Sequence, residues 1–260
     1  MNCRGLANVQ KRKDVLQYLK TKQYSICCLQ DTHFIPDFES SINEEWKSGN
    51  YFSHNSSSSR GVAILFNDSV DVDVRKVKTD SGGNIVVLDL KINEFEITLA
   101  SLYAPNTDSP AFFSDLENTL LEFENPHTIL CGDWNLVQDK DLDTYNYSHF
   151  HHPRSREKVE KLKENFDLID PWRKRYPLKK MYTWRQPTPL KQGRLDFFLI
   201  SSELYSFVLG IKILPGYRTD HSLVNLDIRF STTKRGLGYW KFNNELLKEE
   251  EFVNMIKKKK

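Results

Sequence analysis

Apolar runs of strand length recur along the chain, at "SICCLQ" (25–30), "VAILF" (62–66), "NIVVLDL" (84–90), "FEITLASLY" (95–103), "TILCGD" (128–133), "RLDFFLIS" (194–201) and "LVNLDIRF" (223–230). In the fourth, Phe95, Ile97 and Leu99 alternate with Glu96 and Thr98, the period of a strand with one buried face. "VAILF" and "TILC" are continuous instead, as strands covered on both faces are. Helical stripes lie between the runs. Pro110 at a first helical position, with Ser109 as N-cap, precedes Phe112, Phe113, Leu116, Leu120 and Phe123 on one face. Ser155 as a cap precedes Val159, Leu162 and Phe166, and Val15, Leu16 and Leu19 give a shorter stripe near the N-terminus. Strands and helices mix without strict alternation, which predicts two packed sheets with helices outside rather than one doubly wound sheet.

"HNSSSSRG" (54–61) reads as a polar loop within a domain, and no repeat of 20–50 residues is visible. From Ser231 the pattern changes: Leu246, Leu247, Val253 and Ile256 predict a short amphipathic helix ending in four lysines. A domain over 1–230 and a tail over 231–260 follow. Hydrophobic residues at 39% and aromatics at 12% suffice for a core of this size and exclude a disordered composition. The four cysteines lack C-x-x-C spacing and mostly sit beside apolar runs, so free thiols are expected. No signal-peptide core and no run of 18 apolar residues occurs, which predicts a nuclear or cytoplasmic protein that neither enters a membrane nor is secreted.

Polar clusters stand at the ends of the apolar runs. Asp31 follows the first; Asp133 and Asn135 follow "TILCG"; Asp220 and His221 precede "SLVNLDI". With Asn2, Tyr103 and Asp196 they form one polar floor if their strands end on the same side, where a rigid sheet can carry binding groups. Hard oxygen donors suit Mg²⁺, which takes one or two carboxylates and leaves positions for phosphate and water. A histidine fixed by a carboxylate stabilises a developing oxyanion. Metal-assisted phosphodiester hydrolysis is the reaction class this set implies. Taken one at a time, the residues have plainer readings. Asp196 pairs with Arg194 or a backbone donor, Tyr103 is core packing before a turn, and His33 is a surface or supporting residue.

In order, "MNCRGL", "CLQDTH", "RGVAILF", "SLYAPN", "CGDWN", "RLDFFLIS" and "TDHSLV" resemble the endonuclease/exonuclease/phosphatase superfamily. More narrowly, the chain resembles the apurinic/apyrimidinic-type, exodeoxyribonuclease III-like endonuclease domain of non-LTR (LINE-type) retrotransposons. The resemblance covers residues 2–230. It implies an α/β fold, a four-layer α/β sandwich of two packed mixed sheets flanked by helices, with most of the first strand missing ahead of Asn2. It implies Asp31, Asp220 and Asn2 at or near a Mg²⁺ site, with Mn²⁺ as the alternative ion. Tyr103 would contact the scissile phosphate, Asp133 would activate water with Asn135 beside it, and Asp196 would orient His221 against the phosphorane. The product implied is a nick with a 3′-hydroxyl. The tail resembles the segment leading to a reverse transcriptase, a domain these residues do not include.

The resemblance also marks departures. Glutamate is usual where Asp31 stands, so this carboxylate is one methylene shorter. Repair-type members carry aspartate at the position of Arg4. Residues 172–194 hold eight Lys or Arg and no Asp or Glu, a solvated loop or a phosphate-facing patch. The family places a minor-groove hairpin there, which implies that Lys179, Lys180, Tyr182, Trp184 and Arg185 meet double-stranded DNA. A monomer with no obligate protein partner is expected. A phosphatase or lipid phosphodiesterase of the same superfamily, and a non-catalytic relic that binds nucleic acid, are the alternatives.

Overall fold

Every residue of Val62–Phe66 is buried, and its two faces enter different cores. Val62, Ile64 and Phe66 point into an apolar layer between two sheets, while Ala63 and Leu65 point into a layer shared with helices. The two-residue strand period enforces that division. The structure, a computed structural model, describes residues 1–147 and 152–230.

The first half of the chain forms α1 (Val9–Thr21), β1 (Ile26–Gln30), α2 (Glu39–Glu45), β2 (Asn50–Ser53), β3 (Val62–Phe66), β4 (Asp73–Thr79), β5 (Ile85–Ile92), β6 (Phe95–Tyr103) and α3 (Pro110–Leu120). The second half forms β7 (His127–Asp133), α4 (Lys140–Asp143), β8 (Thr144–Tyr145), α5 (Pro153–Asn165), β9 (Leu168–Ile169) and α6 (Pro171–Arg175). It ends with β10 (Trp184–Gln186), β11 (Lys191–Gly193), β12 (Asp196–Ser201), β13 (Val208–Leu214) and β14 (Leu223–Ile228). One sheet has the order β4-β5-β6-β7-β12-β9 and is mixed, because β6 and β7 run parallel while its other pairs are antiparallel. The facing layer consists of β1-β3-β2 and the pair β13-β14. A small β10-β11-β8 sheet stands apart.

Phe113, Leu116 and Leu120 of α3, with Val159 and Leu162 of α5, pack on Val87, Ala100, Leu102 and Leu130. Val15, Leu16 and Leu19 of α1, with Ile42 of α2, pack on Cys27, Leu29, Ala63 and Leu65. Helices, sheet, sheet and helices therefore make the four-layer α/β sandwich. All four cysteines are free. No helix among the described residues is long and apolar enough to cross a membrane.

One cap differs from expectation. Helix α5 begins at Pro153, so Ser155 is buried inside the first turn and does not cap it. The Ser155 N–H donates instead to Asp108 Oδ1 at 2.8 Å, a carboxylate from the loop before α3. Ser109 occupies the N-cap of α3 without a side-chain hydrogen bond. Asn8 does cap α1, accepting from the Lys11 N–H at 2.9 Å. The tail helix predicted around Leu246, Leu247, Val253 and Ile256 lies outside the described residues.

Arg194, fully buried just ahead of β12, ties three segments together. Its Nε and Nη2 donate to the Asp143 carboxylate at 2.7 and 3.0 Å, and its Nη1 donates to Asp170 Oδ2 at 2.6 Å. Burial opposes its charge, but Asp170 and Asp143 outweigh it and raise its pKa, so the guanidinium stays cationic. Removing one partner of such a set strands the others without solvent. Arg194→Met should lower the unfolding free energy by about 3–5 kcal/mol; a loss below about 1 kcal/mol in urea titration would show that Asp143 and Asp170 are solvated or re-paired.

Candidate active site

Three strand ends line up in the large sheet. Tyr103 is the register partner of Asp133 across the parallel β6–β7 pair, and Asp133 is the partner of Asp196 across β7–β12. Asp133 and Asp196 are both buried, at 1% and 4% exposure. The row is held from behind by Trp134, which stacks on Phe197 at 4.8 Å and donates its indole N–H to the Phe197 carbonyl at 3.0 Å. Gly132 carries a φ of +149°, and a Cβ there would stand 1.9 Å from the Leu102 carbonyl oxygen, so only glycine permits this β6–β7 approach.

The facing layer delivers the rest. Asn2 bridges to Gln30 at the end of β1, and its amide donates to Asp133 Oδ2 at 2.9 Å. The Asn135 N–H donates to Asp133 Oδ1 at 3.0 Å, and the Asn135 amide is fixed on the Ala104 carbonyl at 2.7 Å. His221, just before β14, places Nδ1 2.8 Å from Asp196 Oδ2 and Nε2 3.9 Å from Asp133 Oδ2. Asp196 thus partners His221 and not Arg194, which correct non-local pairing the sequence pattern alone did not show. Thr183 Oγ1 accepts the N–H groups of both Leu195 and Asp196, at 2.9 and 3.0 Å.

Asp31 ends β1 in the left-handed region, with φ of +52°. Aspartate tolerates that conformation better than most residues, and past it the Thr32 and His33 N–H groups donate to the Gly61 and Arg60 carbonyls at 3.0 and 2.7 Å. Its Oδ1 meets His33 Nε2 at 3.1 Å and accepts from the Arg60 N–H at 3.2 Å. His33 therefore supports the carboxylate rather than lining the site. Asp220 pairs with Arg4 at 3.4 Å. A cavity of about 260 Å³ joins these groups, lined by Asn2, Arg4, Asp31, Tyr103, Asn106, Asp133, Asn135, Trp184, Leu195, Asp220 and His221.

Trp184 is the one member of the basic stretch that lines this cavity, and it pairs with His221 through an isolated β-bridge. Arg185 follows, its N–H 3.3 Å from the Asp220 carbonyl. Tyr182 donates to the Thr144 carbonyl at 3.3 Å, Lys179 lies over the Tyr176 and Trp172 rings, and Lys180 is exposed; none of the three lines the cavity. Asn106 and Thr183 were not singled out from sequence. Asn106 stands inside the "SLYAPN" block and was within reach; Thr183, acting through two N–H groups, leaves no pattern.

Burial lifts the Asp133 carboxyl to about 7, with the Asp196 charge adding to it while His221 and the Asn2 hydrogen bond oppose. Burial alone would lower the His221 pKa, but Asp196 first and then Asp133 raise it to about 9. Burial, then Asp31 and Asp133, raise the Tyr103 phenol, which keeps its proton. The site therefore holds a cationic imidazole, a carboxyl poised near neutrality and a phenol donor around one cavity. Asp133, Asp196 and His221 place ligand-type atoms within 4.8 Å of one another, but the His221–Asp196 hydrogen bond already uses that pair. The oxygen donors left facing the cavity are Asp31 and Asp220, carboxylates that suit a hard divalent cation.

A sequence profile of the Endonuclease/Exonuclease/phosphatase family matches residues 1–221. The "Transposon TX1 uncharacterized 149 kDa protein" of Xenopus laevis is 29% identical over 267 aligned positions, covering 99% of this chain; the chain spans only 20% of that protein. Among solved structures, the AP endonuclease LMAP from Leishmania major superposes with a TM-score of 0.74 at 19% identity, covering 88% of this chain and 86% of that one. An AP endonuclease from Archaeoglobus fulgidus gives 0.68 at 18% identity, covering 86% and 96%. The 3′ phosphatase NExo from Neisseria, bound to product DNA hairpin, gives 0.65 at 18% identity, covering 85% and 95%. At these identities the structural matches establish the shared fold.

In protein kept free of metal by a chelator, NMR titration should find His221 protonated at pH 7 and titrating well above an ordinary histidine, near 9. A raised folded-state pKa means this contribution to stability is complete below the ordinary value of about 6.5 and is lost as pH rises through the folded one. Asp196→Asn should bring the titration down; an unchanged midpoint would show that Asp196 does not hold the proton there.

Proposed function

Because the chain belongs to the endonuclease/exonuclease/phosphatase family, we propose that it is a Mg²⁺-dependent DNA endonuclease of the apurinic/apyrimidinic type, derived from a non-LTR retrotransposon, that nicks double-stranded DNA to leave a 3′-hydroxyl. The observation that carries the reading is the register row Tyr103–Asp133–Asp196, closed over by His221 and Asn2 from the facing layer. Asp133 accepts a proton from the attacking water, for which a pKa near neutrality is well matched. Asn2 and Asn135 hold both of its oxygens in place. The water oxygen bonds to phosphorus, the bond from phosphorus to the 3′ oxygen breaks, and that oxygen leaves as a hydroxyl after taking a proton.

His221, kept cationic by Asp196, donates from Nε2 to a non-bridging phosphate oxygen as charge accumulates there. Tyr103 donates its phenol proton to the same phosphate. Asp31, with Asp220 nearby and Asn2 at the edge, would hold Mg²⁺, which when bound would supply charge neutralisation for the phosphate. Trp184 beside the cavity offers a surface for a base, and Lys179, Lys180 and Arg185 with Tyr182 follow the DNA backbone. The AP endonuclease likenesses and the transposon relative favour DNA over a lipid or inositol phosphate.

Two measurements test this reading. Asp133→Ala and His221→Ala should each reduce nicking of supercoiled plasmid by at least about 10²-fold, the scale of removing a general base or an oxyanion donor. EDTA should abolish nicking and Mg²⁺ should restore it; nicking retained in both variants would exclude this site. Reversing Lys179→Glu, Lys180→Glu and Arg185→Glu together should weaken duplex binding and flatten its dependence on salt. Equal affinity and slope across a salt series would remove the basic stretch from the DNA interface.

A further inference from the structure

An anion entering the active-site cavity meets the carboxylates of Asp31, Asp133 and Asp220 in its lining, and the cationic side chains of His221 and Arg4. The His221 ring is committed to Asp196 through Nδ1. Arg4 is committed far less. Its guanidinium is 69% exposed and, among the described residues, pairs only with Asp220, from Nη1 to Oδ2 at 3.4 Å. An ion pair so open to solvent contributes little, so exchanging it for another anion costs little. The remaining N–H donors of the planar fork point away from any strong partner, and such a fork fits the oxygens of a phosphate better than an ammonium does.

The backbone beneath this side chain is fixed. Arg4 has a φ of +48° and Gly5 of +78°, successive residues in the left-handed region, which arginine enters against a steric cost. The Arg4 N–H donates to Asn2 Oδ1 at 2.9 Å, and Lys11 Nζ donates to the Cys3 and Arg4 carbonyls at 2.9 and 2.8 Å. The Gly5 and Leu6 N–H groups donate to the Asp31 and Thr32 carbonyls, both at 2.7 Å. A Cβ on Gly5 would stand 2.7 Å from His33 Nδ1, so the turn lies against the imidazole that supports Asp31.

From the other side of the cavity, Thr219 Oγ1 donates to the Asn2 carbonyl at 3.0 Å and ties the loop of Asp220 to the loop of Arg4. A strained turn held by this many bonds sets the Arg4 Cα at one point of the rim. The side chain above it is held by a single exposed contact. That combination suits a group that is delivered to a ligand rather than one that secures the fold.

We propose that Arg4 is a phosphate clamp, whose guanidinium exchanges Asp220 for the non-bridging oxygens of a phosphodiester in the DNA backbone as the strand enters the cavity. The assignment rests on the reading of this cavity as a phosphodiester site and adds a binding residue to it. Arg4 is the permanent cation in a lining rich in carboxylates, and without it the substrate anion faces Asp31 and Asp220 unscreened.

Binding of a fluorescent duplex in EDTA tests the clamp, because affinity is then read apart from hydrolysis. Arg4→Asn removes the charge and keeps a residue that tolerates the left-handed turn. It should weaken binding about tenfold or more, the scale of losing hydrogen bonds between charged groups. Arg4→Gln, closer in size, should give the same loss, and Arg4→Lys should recover part of it. In duplexes carrying one uncharged methylphosphonate at a time, one position should weaken wild-type binding as much as Arg4→Asn does and cost that variant nothing further.

A role confined to neutralising Asp220 gives a different pattern. The double variant Arg4→Asn/Asp220→Asn restores the local charge, yet under the clamp it should bind as weakly as Arg4→Asn. Recovery in the double variant would overturn the proposal, as would equal affinity of wild type and Arg4→Asn, or equal losses for both at every methylphosphonate position. A chain that shows the predicted binding pattern but fails to nick plasmid would remove the nuclease reading and leave the clamp standing. Nicking that depends on Asp133 and His221, with affinity independent of Arg4, would remove the clamp alone.

Discussion

Tyr103, Asp133 and Asp196 stand opposite one another at the ends of β6, β7 and β12, and the chemistry of the cavity depends on that register. A slip of one residue in either pairing would turn a carboxylate into the apolar core and bring a core side chain to the site. The register is secured by contacts outside the cavity. Gly132 allows the close β6–β7 approach, Trp134 locks β7 to β12 through Phe197, and Arg194 anchors the approach to β12 on Asp143 and Asp170. Packing and function are therefore coupled through the same few strand ends.

The row carries an electrostatic conflict, because it buries two carboxylates side by side. The facing layer resolves it. His221 contributes a cation to both, and Asn2 with the Asn135 N–H contributes donors to Asp133. Each group is held by the others, so a charge removed from one side changes the protonation of the opposite side. Asp31 and Asp220 lie across the cavity with separate partners, His33 with Arg60 for one and Arg4 for the other. Asp31 thus brings oxygen donors from the end of β1, while Asp220, next to His221, also adds to the field that keeps the imidazole charged.

The central strands were legible because burial on both faces leaves an unbroken apolar run, as in Val62–Phe66 and the "TILC" of β7; β6, read as half-buried from Glu96 and Thr98, is covered on both faces, with Thr98 buried. The edge strand β4, "DVRKVKT", was not, since it is mostly exposed and its pairing with β5 needs no apolar stripe. Strands β10 and β11 are too short to show a period. For the site, residues at the ends of visible runs could be read directly: Asp31, Asp133, Asp220 and His221 each border one. The Asp196–His221 pair and the Arg194–Asp143–Asp170 set join residues far apart in sequence, and no local pattern marks which partner wins. The cap of α5 failed for the same reason, because Asp108 reaches it from another segment.

Under the proposed function, Asp133 and His221 work as one unit on one phosphate. Single-turnover cleavage of a duplex by Asp133→Ala, His221→Ala and the double variant tests this most directly. Groups that act together lose most of their effect with the first substitution. The double variant should therefore be scarcely slower than the slower single one. Effects that multiply in full would contradict a shared step at this site.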